Sequence, residues 1–226
     1  MLLLIAQSGN ARAGGSLDLH GGWSLHQTAD VSISETRASG TTSASASIDP
    51  PATGELGARL QGWVPTHEWI GLAMDVGYFQ AEGAGVDIDA YPLAFSLLLR
   101  APLFATPTRP DGRLQPYALA GIAFYMADIH VELEGMEADA FEMGWPLPGG
   151  GYEVITGPYL AAGLAWQPAK RFALFGEVRH TTFDVGFDTT NSPIFPTMNG
   201  RVDTSLTTDH LLVGISYRFP DREEPE

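Results

Sequence analysis

The sequence predicts an all-β chain, an eight-stranded antiparallel up-and-down transmembrane β-barrel. Three observations predict it. First, strand-length segments recur in which bulky apolar residues alternate with glycine, alanine, serine and charged residues, and alternate positions point to opposite faces of a strand. Second, the connections are by turns long and short, the pattern of a barrel with tight turns at one end and long loops at the other. Third, no run approaches the roughly 20 apolar residues of a membrane helix, so any crossing of a bilayer falls to strands.

The final strand shows the pattern most clearly. Over Thr208 to Phe219, Leu211, Val213, Ile215, Tyr217 and Phe219 share one face, and His210, Leu212, Gly214, Ser216 and Arg218 share the other. The first strand places Leu17, Leu19, Trp23, Leu25, Ala29, Val31 and Ile33 outward, with Gln27 as the exception, against Asp18, His20, Ser24 and His26. Residues 34–51, rich in serine, threonine and alanine, read as an exposed loop. The second strand turns Leu56, Ala58, Leu60 and Val64 outward and Glu55, Arg59 and Gln61 inward. The third sets Ile70, Leu72, Met74, Val76 and Tyr78 against Gly71, Ala73, Asp75 and Gly77. The fourth sets Tyr91, Leu93, Phe95, Leu97 and Leu99 against Ala94, Ser96, Leu98 and Arg100. On the fifth, Tyr117, Leu119, Tyr125, Ile129 and Val131 are assigned outward and Ala118, Ala120, Asp128, His130 and Glu132 inward, although Ile122, Phe124 and Met126 blur the inner face. A loop is expected over residues 135–153. The sixth strand opposes Leu160, Leu164 and Trp166 to Ala161, Gly163 and Ala165. On the seventh, Phe172, Leu174 and Val178 lie on one face but Phe183, Val185 and Phe187 on the other, which predicts a bulge or a strand leaving the bilayer. A last loop is expected over residues 188–206.

A soluble barrel that holds a ligand inside needs the reverse distribution, with an apolar lining and a polar exterior. Here the small residues suit the narrow interior of an eight-stranded barrel, and the Leu, Ile and Phe face suits lipid. Tyr91, Trp166 and Tyr217 stand towards strand ends, where interfacial aromatics belong.

Composition limits function. The formal charge is -15, with 12 basic residues of which Lys170 is the one lysine. Such a chain has little to neutralise phosphates, so nucleic acid is not an expected partner. The absence of cysteine removes disulfides, thiolate metal sites and cysteine nucleophiles. Residues 1–13 read as the remnant of a secretory signal, with an apolar run Met1 to Ala6 and Ala11-Arg-Ala13 before the mature start. Residues 14–219 form the barrel, and 220–226 an acidic tail.

The segments 57–65 (Gly-Ala-Arg-Leu-Gln-Gly-Trp-Val-Pro), 113–121 (Arg-Leu-Gln-Pro-Tyr-Ala-Leu-Ala-Gly), 175–179 (Phe-Gly-Glu-Val-Arg) and 217–219 (Tyr-Arg-Phe) resemble, as an ordered set, the eight-stranded outer-membrane barrels of OmpA and OmpW type. That resemblance implies a bacterial outer-membrane location reached through the periplasm. It also implies contact with outer-membrane lipid and lipopolysaccharide, and a C-terminal signal, Tyr217 and Phe219, read by the barrel-assembly machinery. The acidic tail beyond Phe219 departs from a strictly terminal signal. OmpW-like members imply passage of small hydrophobic compounds. A monomer without cofactor is expected.

The inward charged residues Asp18, Arg59, Asp75, Arg100, Asp128, Glu132, Glu177, Arg179 and Arg218 are expected to pair across the lumen, because a buried charge without a partner costs several kcal/mol. They would either plug the barrel or gate a small porin path. His20 and His26 lie about 20 Å apart by strand rise and cannot share a metal, so no metal site is expected. Arg179-His-Thr-Thr-Phe-Asp184 faintly resembles the lipid A deacylase barrels, which carry a His-x-Ser pair. His180 and Thr182 share a face as a base and a hydroxyl nucleophile require, but threonine replaces serine and no acidic partner is evident. The expected role is therefore structural, binding or small-porin rather than enzymatic.

Overall fold

In the computed structural model, residues 14–220 are described except 38–39, 50, 65–66, 84–85, 107–111, 134–135, 143–154 and 189–199, and for some strand residues the backbone alone. The strands are β1 (Gly15–Arg37), β2 (Gly40–Ile48), β3 (Gly54–Val64), β4 (His67–Gly83), β5 (Val86–Arg100), β6 (Leu114–Leu133), β7 (Met136–Glu142), β8 (Ile155–Trp166), β9 (Phe172–Asp188) and β10 (Gly200–Arg218). Eight of them are staves of a closed antiparallel barrel in the order β10-β9-β8-β6-β5-β4-β3-β1. The seam between β1 and β10 runs from Ser16 opposite Arg218 to Glu35 opposite Gly200. The remaining two extend the wall at the loop end: β2 pairs with the far half of β1, Ala29 to Arg37, and β7 with the far end of β6.

Each stave turns a bulky apolar residue out of the barrel. Leu19, Leu56, Leu72, Phe95, Ile122, Leu160, Leu174 and Val213, one per stave, are all exposed, from 48% for Leu160 and Leu174 to 69% for Leu56. A continuous exposed apolar belt of this extent is foreign to a soluble monomer and is what a bilayer requires of a barrel. At its turn end Phe172, Tyr217 and Phe219 form an aromatic cluster, with Phe172 and Tyr217 centroids 5.4 Å apart and Tyr217 and Phe219 6.1 Å apart. At its loop end Tyr78 lies against Tyr91 at 5.1 Å. Trp166 is exposed at the turn end of β8.

Several sequence expectations are corrected. Parts of residues 34–51, 135–153 and 188–206, expected as loops, are strand: the ends of β1 and β10, and β2 and β7 entire. On β2 the alternation of serine with alanine carries no bulky apolar signal, and Thr41, Ser43, Ser45 and Ser47 are exposed. On β1 the register slips between Ser24 and His26. That bulge brings both Ser24 and Gln27 inward, which explains Gln27, and it turns Ala29 inward as well. The two faces of β6 are the reverse of those expected, since Leu119, Ala123 and Tyr125 are buried and Ala118, Ala120, Ile122 and Phe124 exposed. On β9 no bulge occurs: its register against β8 and β10 is continuous, and Phe183 is an inward residue in regular alternation.

Candidate functional site in the barrel lumen

The inward residues fill the lumen in three layers. The middle layer is charged. Arg59 on β3 donates through Nε to Asp75 Oδ2 on β4 at 2.7 Å and, through its two terminal nitrogens, to both oxygens of Glu177 on β9 at 2.7 Å each. This two-pronged geometry is the strongest an arginine and a carboxylate can form. Arg179, two residues beyond Glu177 and so on the same face, donates to Glu55, to Asp75 Oδ2 at 3.3 Å and to Glu177 Oε1 at 3.1 Å. Tyr159 OH donates to Asp75 at 3.1 Å, and Tyr117 OH to Glu177 at 2.9 Å. His20 Nε2 lies 3.3 Å from Arg179, and His210 Nδ1 meets Glu55 while its Nε2 is 3.1 Å from Thr181 Oγ1. Arg59, Arg179, Asp75, Glu55 and Glu177 are all at most 2% exposed. Burial this deep requires the pairing seen, because an isolated charge there would cost several kcal/mol.

Small inward residues act as sockets for these side chains. A Cβ on Gly57 would stand 2.3 Å from His20 Nε2, and one on Gly163 would stand 2.5 Å from the Tyr117 hydroxyl. Both distances are inside contact, so glycine at these points is what admits the ring of the neighbouring strand.

Towards the loop end apolar and aromatic side chains predominate, with Ser24, Gln27 and Thr208 buried beside them on β1 and β10. Tyr125 stacks on Phe183 with centroids 4.2 Å apart, Phe79 meets His210 edge-on at 5.0 Å, and Leu206, Ile155 and alanines close the remaining space. Towards the turn end lies a cavity of about 40 Å³, lined in part by Asp18, Gln61, Arg100, Gln115 and Arg218, with room for about three waters. Arg218 donates to Gln115 Oε1 at 2.9 Å, Gln115 to Gln167 at 3.0 Å, and Arg100 lies 3.6 Å over the Trp63 ring.

Of the expected network, Arg59, Asp75, Glu177 and Arg179 therefore form one cluster. Asp18 is buried but bonds to Gln61, and Arg100 and Arg218 meet Gln115 in the separate turn-end layer. The side chains of Asp128 and Glu132 lie outside the described residues. Glu55, His20, His210, Tyr117 and Tyr159 join the cluster without having been included in it. Glu55, His20 and His210 carried a signal, their inward parity, but their partners depend on strand register, which the sequence does not display. His180 and Thr182 lie on the outer face, at the loop-end edge of the belt just above Val178 and Leu211. His180 Nδ1 is hydrogen-bonded to Asp209 Oδ1 at 2.7 Å, both about half exposed, whereas Thr182 Oγ1 is bonded to Thr207 Oγ1 at 2.9 Å.

A closed eight-stave barrel with an apolar belt outside and ion pairs within defines the chain's class, the architecture of eight-stranded outer-membrane barrels. One solved structure agrees on the fold. The outer membrane protein OprG from Pseudomonas aeruginosa aligns with a TM-score of 0.52 at 14% identity, covering 93% of this chain and 98% of that one. Neisserial surface protein A aligns with a TM-score of 0.46 at 12% identity, covering 88% and 99%. No protein-family model matches the chain, and no curated protein does.

Proposed function

We propose that this chain is an outer-membrane barrel whose lumen is closed, with a structural or binding role exercised from its outer surface and loops rather than through a pore. One observation carries the reading. The Arg59, Arg179, Asp75, Glu55 and Glu177 cluster spans the barrel directly beneath the stacked Tyr125 and Phe183 layer, so a polar solute meets an apolar plug and an apolar one meets buried charge. The apolar belt supports a seat in a bilayer, and the resemblance of Tyr217 and Phe219 to an assembly signal supports an outer-membrane route. Planar-bilayer recording of the refolded protein is expected to show no unitary current. The same silence is expected for Arg100→Ala and Arg218→Ala, which widen the turn-end cavity and leave the two layers above it intact. Discrete steps in the unmodified protein would overturn the closed-lumen reading.

The outer-face pair gives a second reading its one support, since Asp209 supplies the acidic partner of His180 that the sequence did not reveal. A nucleophile there needs its hydroxyl on the base, and the Thr182 hydroxyl is bonded to Thr207 instead. Lipid A mass spectra from cells expressing the protein are therefore expected to be the same for wild type and His180→Ala. An acyl chain missing in the first and restored in the second would establish the hydrolase.

A further inference from the structure

Outward glycines thin the belt at several points, and at one of them, beside the seam, the wall is grooved. Across four adjacent strands Val213, Gly21, Leu56 and Tyr78 lie in one row, so a glycine sits between bulky neighbours. Above it Trp23 is opposite Gly54. The result is an open groove of about 570 Å³ on the outer wall, floored by Gly21 and Gly54, walled by Val213 and Leu56 and roofed by Trp23. Its volume falls in the ~300–1,000 Å³ range of sites that hold small apolar ligands. Tyr78 and Gln80 close its loop-end margin, and both donate to Asp89 Oδ1, at 2.7 and 2.9 Å.

Beyond that margin the same outer face changes character. On β2, Thr41, Ser43, Ser45 and Ser47 are exposed, and Ser47 stands opposite the exposed Asp30 of β1. Strand rise puts this hydroxyl row about 20 Å along β1 from Trp23. The nine residues of β2 carry no charge and no proline, the devices that usually blunt a strand at the edge of a sheet. An apolar slot at belt level thus continues into a ladder of alcohols above it.

We propose that this strip binds one glycolipid of the adjoining leaflet, with an acyl chain in the groove and the sugar headgroup against the β2 hydroxyls; the inference rests on the membrane-barrel reading. The chemistry selects that class. Lipid chains are as apolar as the belt, so retention in a bilayer comes from close packing and polar contacts rather than from the hydrophobic effect. The groove supplies the first and the hydroxyl ladder the second. A phospholipid headgroup is too short to span the interval from Trp23 to Ser47.

The test is native mass spectrometry of the full chain released from detergent after titration with lipid A or with phosphatidylglycerol. Wild type is expected to retain one lipid A and to hold phosphatidylglycerol about tenfold less well. Trp23→Ala, which unroofs the groove from an exposed position, and a Ser45→Asp/Ser47→Asp pair are each expected to lower lipid A retention about tenfold. Gly54→Leu, at a floor position with open space around it, should do the same by filling the slot. Equal retention of the two lipids, or retention unchanged by Trp23→Ala and by the serine pair, would overturn the site. If the protein instead enters no micelle or vesicle, the membrane reading itself fails, and the two failures are told apart by that first step.

Discussion

Arg59→Met is expected to destabilise the barrel by about 3–5 kcal/mol, the cost of leaving buried charge without its partner. Arg59 is fully buried and holds Asp75 and Glu177 by three bonds of 2.7 Å. Methionine matches much of its length but donates nothing, so two carboxylates would remain beside one guanidinium, that of Arg179, already engaged with Glu55. Urea unfolding in detergent, read by the gel shift between folded and unfolded barrel, checks the size of the effect. A double replacement, Arg59→Met with Glu177→Met, separates pairing from packing. It removes one charge of each sign and is expected to recover most of the loss, because an apolar pair of similar volume often substitutes for a buried ion pair at little cost. A double variant as unstable as the single one would mean that the side-chain shapes, not the charges, hold this layer.

Val213→Arg is expected to impair insertion by about 2–4 kcal/mol, the penalty for a guanidinium facing lipid near mid-bilayer. Val213 is 60% exposed and occupies the fourth of the five outward positions from Phe219 to Leu211. Its neighbours on that face, Ile215 and Leu211, give an arginine no acidic partner, and the nearest outward carboxylate on β10 is Asp209, already bonded to His180. Folding yield into vesicles measures it directly. Leu212→Arg, one residue away but inward and fully buried, is a companion that fails for a different reason, by overpacking the lumen. If Val213→Arg folded normally, the outward face would be in water and the belt would need another explanation.

The outline of this architecture was legible because a barrel wall writes a period of two into its sequence wherever its two sides meet different media. On β3, β4, β5, β8 and the last third of β10 the bulky residues lie outward as their alternation predicted. The reading failed on β6, where both faces are apolar. Tyr117, Leu119 and Tyr125 fill the lumen while Ile122 and Phe124 face out, and hydrophobicity cannot rank one above the other. It fails on β9 for the same reason: Phe183 reads as a break in the pattern, when it is an inward aromatic completing a stack with Tyr125. The loop-end extensions were invisible because a strand such as β2 alternates serine with alanine and shows no bulky apolar face. For the charged layer, the rule that buried charges must pair picked out four of its five charged members. Glu55 has the same inward parity as Arg59 but is absent from the expected set; the register pairs it with Arg179, 124 residues away in the chain.

That distance bears on how the barrel comes to exist. The contacts of the charged layer join Arg59 to Glu177 across 118 residues, Arg179 to Glu55 across 124 and Arg179 to His20 across 159. No hairpin contains both partners of any of these contacts, so a growing sheet gains nothing from them until its first and last strands are brought round to one another. Chains dominated by such remote contacts fold slowly, and before closure each of these charges has to stay hydrated. The layer therefore works as a latch. Apart from the Arg59–Asp75 bond within the β3–β4 hairpin and the Arg179–Glu177 bond within β9, it is absent from every partly made sheet, engages when β10 finds β1, and adds that cross-barrel contribution to the step that seals the cylinder.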